Sequence, residues 1–171
     1  MNAFEPGPLA DVSVAEDGRT LVFVRHLRHP VEKVWSALTE PGQLAQWAPF
    51  EASRDLGATG EATLTMIDKD VAEPMASTVV RVEEPTLLEY LWGEDRLRWE
   101  LAPTDEGTRL TLRHTVADPD WLSKVTAGWH LCLVVAEHLL DGAPIGVIRG
   151  SAALDYGWEE LRDAYATRLA R

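Results

Sequence analysis

The chain has 171 residues, 46% hydrophobic and 26% charged, which suits one globular domain with a substantial core. A net charge of −12 argues against nucleic acid and anionic membranes as partners, since both need basic patches. The single cysteine, Cys132, leaves no internal disulfide, and no stretch approaches the ~18 consecutive apolar residues of a membrane span.

Residues 1–18 are rich in proline, glycine and acid and read as a loose N-terminal arm. Within it Val12 and Val14 alternate with polar residues, as at a sheet edge. Glu5 and Asp11, with no basic start and no apolar run, argue against a signal peptide, so a cytoplasmic location is expected. Residues 19–171 read as one domain. Its first full strand spans Thr20 to Arg28, with Leu21, Phe23 and Leu27 on one side. His29-Pro30 ends it, because the residue before proline resists the helical region. Val31, Val34, Trp35 and Leu38 then mark a short amphipathic helix, and Pro41 opens a second one carrying Leu44 and Trp47.

From Glu51 onward the pattern is strand after strand, at Glu51 to Leu56, Glu61 to Ile67, Met75 to Val82, Thr86 to Trp92, Arg96 to Ala102 and Thr108 to Val116. Turn signals separate them, including Gly57-Ala58-Thr59-Gly60 and a loop expected over Asp68 to Pro74, as in an antiparallel meander. Alternation sends Leu97, Trp99 and Leu101 to one face, with Leu110, Leu112, His114 and Val116, and likewise Leu88, Tyr90 and Trp92.

The stretch Asp118 to Gly142 organises the chain. Leu122, Val125, Trp129, Cys132, Ala136 and Leu139 share one helical face, and Leu131, Val134 and Val135 make the opposite side apolar as well. Asp118 suits an N-cap, Pro119 the first turn, and Gly142 the C′ position. Gly128 in mid-helix costs about 1 kcal/mol against alanine, which predicts a close approach there or a junction of two helical pieces. His130 and His138 fall on the narrow polar strip and are expected to be exposed. A last amphipathic helix at about 151–169 carries Leu154, Trp158, Leu161, Tyr165 and Leu169, a stripe that covers the long helix or else serves a partner subunit in a homodimer.

This order of elements resembles the α+β helix-grip fold of the SRPBCC, or START-like and birch-pollen-allergen-like, superfamily. In that fold a curved antiparallel β-sheet wraps around a long C-terminal α-helix, with two short helices after the first strand. Within it, Pro30, Val34, Trp35, Ala37, Leu38, Thr39, Pro41 and Trp47 are similar to the branch of activator of heat-shock-protein-90 ATPase homologues. So are Leu87 to Trp92 with Leu97 to Leu101, and Gly128-Trp129-His130. The resemblance spans Leu21 to Gly142. Gly57 and Gly60 replace a glycine pair that many members carry, and the helix after Ser151 lies outside the common core.

The resemblance implies a cavity between sheet and helix. The residues expected to line it are Trp47, Tyr90, Trp92, Trp99, Leu110, Leu112, His114, Trp129 and Cys132. No zinc spacing, phosphate loop, nucleophile elbow or dinucleotide fingerprint occurs, so no metal or cofactor is expected. His114 reads first as a satisfied core histidine and Tyr90 as an aromatic wall, each with an acid–base role as the alternative. Three functions compete: a non-catalytic binder of a small apolar or aromatic molecule, in a branch tied by name to stress; a chaperone cofactor acting through its surface; and a polyketide cyclase or aromatase-like enzyme. They are ranked in that order.

Overall fold

The structure is a computed structural model that describes residues 4–170. Its strands are β1 (Asp11–Val14), β2 (Thr20–Leu27), β3 (Phe50–Ala52), β4 (Gly60–Asp68), β5 (Val71–Glu83), β6 (Leu87–Trp92), β7 (Asp95–Thr104) and β8 (Gly107–Thr115). They form one antiparallel sheet in the order β1-β2-β8-β7-β6-β5-β4-β3. The helices are α1 (Val31–Thr39), α2 (Pro41–Leu44), α3 (Leu122–Leu140) and α4 (Trp158–Leu169). This is the α+β helix-grip architecture, with the core held between the sheet and α3.

Alternation explains which face is buried. Leu97, Trp99 and Leu101 of β7 and Leu110, Leu112 and His114 of β8 all point to the core, as do Leu21 and Phe23 of β2. On the other face Glu89, Arg96, Arg98, Glu100 and Arg113 form a ladder of ion pairs across β6, β7 and β8. Arg96 and Arg98 lie over Glu89, which is itself buried.

The loop expected before Met75 is instead strand. β5 starts at Val71 and pairs with β4 through Pro74, opposite Thr65. Its pairing to β6 begins only at Val79, so that end of β5 is bonded on one side and tolerates a residue with no N–H. The third strand is shorter than its sequence pattern. After Ala52 the chain turns away, with Leu56 buried and its N–H bonded to the Thr39 carbonyl at 3.0 Å.

The arm is also more tightly held than its composition suggests. β1 pairs with β2 in the register Val12–Phe23 and Val14–Leu21. Nearer the N-terminus, the Ala10 N–H donates to Tyr165 Oη at 2.8 Å, so the segment is fastened to α4.

α3 ends as its sequence predicts. Gly142 has φ 78°, its N–H bonds Leu139, and the Ala143 N–H bonds His138, which satisfies the last carbonyls of the helix. At its start Asp118 accepts the Asp120 N–H at 3.0 Å, and a 3₁₀ turn over Pro119–Trp121 precedes the α-helix. α4 packs on α3 and β1 through Leu161 and Tyr165. Leu154 does not join that stripe. It sits in a separate 3₁₀ segment, Gly150–Tyr156, and is 52% exposed.

Candidate functional site

The inward aromatic residues meet one another before they meet any cavity. Trp99 stands edge-on to Trp47 at 5.9 Å and to Trp129 at 5.3 Å. Each indole N–H is used: Trp47 donates to the Ala37 carbonyl at 2.8 Å, Trp99 to Tyr90 Oη at 3.2 Å, and Trp129 to His114 Nδ1 at 2.8 Å. An indole N–H can only donate, so Nδ1 of His114 is the acceptor and Nε2 carries the hydrogen. That hydrogen goes to Asp95 Oδ2 at 2.7 Å, while Asp95 Oδ1 takes the Ala117 N–H at 3.0 Å. Burial alone would raise the Asp95 carboxyl, but the His114 and Ala117 hydrogen bonds outweigh it and hold the group below the usual carboxylate range. His114 is fully buried with both ring nitrogens occupied. It is a satisfied core histidine. Tyr90 is equally shut in, and burial pushes its phenol far above the neutral range.

The open space lies further along α3, towards its N-terminal half. A cavity of about 500 Å³ is bounded by Met66 of β4 and Trp92 of β6, by Val125, Gly128, Trp129 and Cys132 of α3, and by Ile148, Leu154 and Trp158. Asp68, Lys124, Arg149 and Ser151 supply its polar groups. Of the residues expected to line a cavity, Trp92, Trp129 and Cys132 do so. Trp47, Tyr90, Trp99, Leu110, Leu112 and His114 are packed behind them instead, because the tryptophans fill the concave face between sheet and helix.

Gly128 is the clearest mark of the site. The expected close approach is absent: a Cβ at Gly128 would meet nothing within 4 Å, since that side of α3 faces the cavity. The helix is continuous through it. The C-terminal wall had no local sequence signal, because Leu154 and Trp158 read as helix packing. Arg149 fixes that wall, donating to the carbonyls of Ala48, Ala45 and Phe50 and to Glu51. Asp68 accepts from both the N–H and the hydroxyl of Ser151, and these bonds lower its carboxyl below the usual range. Burial pushes the Cys132 thiol up to about 12, against a smaller opposing effect of Arg149, so Cys132 contributes apolar wall rather than a nucleophile.

The histidines of α3 correct a second expectation. His130 is fully buried and His138 is half-buried. Its Nε2 lies 2.6 Å from the Pro6 carbonyl and its Nδ1 2.6 Å from Tyr165 Oη. The carbonyl can only accept, so Nε2 carries the hydrogen, Nδ1 accepts from Tyr165, and Tyr165 accepts from Ala10. Period-3.6 counting placed His130 on a polar strip, and the N-terminal segment together with α4 covers that strip. Among the described residues no group of three or more His, Cys, Asp or Glu side chains could hold a metal, and no helix is long and apolar enough to cross a membrane.

Comparison with known proteins agrees with this architecture. None of the curated proteins matches the chain. A protein of Nitrosomonas europaea is 26% identical, with a TM-score of 0.62 over 75% of this chain and 97% of that one. An AHSA1-like protein from Aeromonas hydrophila is 21% identical, with a TM-score of 0.63 over 72% of this chain and 93% of that one. A Staphylococcus saprophyticus protein reaches a TM-score of 0.65 at 20% identity, over 76% of this chain and 98% of that one. The model of one family matches residues 28–140, from the turn after β2 to the last residue of α3. By fold and by that match, the chain belongs to the Activator of Hsp90 ATPase homolog 1-like protein family, within the SRPBCC superfamily.

Proposed function

We propose that this protein binds a small apolar or aromatic molecule without transforming it, in the cavity between α3, the β4–β6 end of the sheet and the 148–158 segment. One observation carries the reading: about 500 Å³ of space is walled by Trp92, Trp129, Met66, Val125, Ile148 and Leu154, a size and lining suited to a small ligand. Each Å² of apolar ligand surface removed from water contributes roughly 25 cal/mol, before ordering costs are subtracted. The groups at hand for proton transfer are Asp68, already bonded to Ser151, and Lys124 at the rim. His114 and Tyr90 are sealed behind Trp129 and Trp99, and the Cys132 thiol stays protonated. A cytoplasmic setting fits the sole cysteine, which is buried and free.

The test uses the tryptophans already in the wall. Toluene and 1-octanol are expected to change the intrinsic fluorescence saturably, and Gly128→Leu, which places a side chain in the open space, is expected to abolish the change while the protein stays folded. Failure of both probes to bind at millimolar concentration overturns the binder reading and moves a surface-acting chaperone cofactor ahead of it. Conversion of a bound compound would move the cyclase-like reading ahead instead.

A further inference from the structure

The cavity is charged unlike the protein that contains it. The chain carries a net −12, yet two of the three ionised side chains that face the cavity are cations. Lys124, in the first turn of α3, has no ion-pair partner among the described residues, and its ammonium rests 4.6 Å from the centre of the Trp121 ring at the mouth. Arg149 lies deeper, its side chain only 9% exposed. Three of its partners are neutral carbonyls, and its only acid, Glu51, is 47% exposed. Arg149 is thus a bound structural cation, and Lys124 is the one cation of the lining that no acid pairs among the described residues. The one acid at the rim, Asp68, is exposed and already accepts two hydrogen bonds from Ser151.

An apolar pocket with an ammonium at its mouth that no carboxylate pairs favours one kind of molecule. Resting on the binding reading above, we infer that the ligand is an amphiphile with an apolar body and a compact anionic head, a medium-chain or aromatic carboxylate. Its body lies against Trp92, Trp129 and Leu154, and its head meets Lys124 at the opening. The long stem of Lys124 lets the ammonium follow the head while its methylenes cover the apolar rim. The N-terminal end of α3, where Lys124 sits, adds a partial positive charge of the same sign.

Octanoate and 1-octanol share a chain and differ in the head, so the pair separates this inference from the one beneath it. Titration of the full-length protein by calorimetry and tryptophan fluorescence is the experiment. Lys124→Gln is expected to weaken octanoate about three- to fivefold, as loss of one partly screened ion pair does, and to leave 1-octanol within twofold. Lys124→Arg should restore octanoate binding, and added salt should shrink the gap between wild type and Lys124→Gln. Equal affinities for octanoate in wild type and Lys124→Gln, or equal weakening of both probes, overturns the anionic head while the binder reading stands. Absence of binding by either probe to the wild type overturns both.

Discussion

The two halves of the space under α3 use similar residues to opposite ends. Towards β7 and β8, Trp47, Trp99, Trp129 and His114 lock edge to face, with every indole N–H matched to an acceptor. Towards β4 and the C-terminal segment, Trp92, Trp158 and the far side of Trp129 surround a void. Aromatic content alone does not distinguish them. The difference lies in what stands opposite: a full ring of partners in one case, and Gly128 with no side chain in the other. Aromatic residues on an inward face therefore mark a wall, and a helix glycine facing that wall marks where the wall is left uncovered.

The largest expected effect tests the sealed half. Trp99→Ala removes the centre of the aromatic cluster and should cost about 3–5 kcal/mol in chemical denaturation. A loss below about 1 kcal/mol would mean that the cluster is not the packed floor described here. Next comes the tie between α3, α4 and the N-terminal segment. Tyr165→Phe leaves His130 Nδ1 and the Ala10 N–H without partners and should cost about 1–3 kcal/mol. It should also speed hydrogen exchange across β1, and unchanged exchange there would count against the tie.

The open half should respond in the opposite direction. Gly128→Ala adds a methyl where nothing lies within 4 Å and raises helix propensity, so it should stabilise by up to about 1 kcal/mol. Destabilisation would show that the space is not available. The smallest effect is on pH. Burial, opposed by the Pro6 carbonyl and reinforced by the charge of Arg25, holds His130 below its ordinary value of 6.5. The folded state thus binds that proton less readily than the unfolded chain. The stability from neutral His130 is complete above about pH 6.5 and is lost as pH falls through the lowered value. A second proton on Nδ1 would confront the Tyr165 hydroxyl hydrogen. Melting temperature should therefore decline between pH 7 and 5 in the wild type and decline less in His130→Gln, whereas parallel slopes would remove His130 from the account. Asp95 and Glu100, both held below the usual carboxylate range, act at lower pH.

The sheet was legible because its signal is local. Alternation in Arg96 to Ala102 and Thr108 to Val116 states which side chains share a face, and turn residues state where strands end. Pro74 misled because a proline is barred only from a strand bonded on both sides, and how far β6 reaches along β5 is a tertiary fact. The site was less legible for the same reason. Inward direction was right for Trp99, Leu110, Leu112 and His114, but direction does not say whether α3 or empty space comes next. The 148–158 wall depends on where Arg149 anchors the chain, by bonds to residues a hundred positions away in sequence, which no periodicity encodes. Gly128 stands out in the helical pattern, but a glycine in mid-helix signals an open space as readily as a close approach, and here it faces the cavity.

A crystal structure of the protein soaked with 1-octanol tests the central claim most directly. Electron density for the alcohol is expected against Trp92, Trp129 and Leu154, with Gly128 beside its chain and the cluster of Trp47, Trp99 and His114 unmoved. A cavity collapsed onto Trp158, or density found elsewhere with the space beside Gly128 empty, would contradict it.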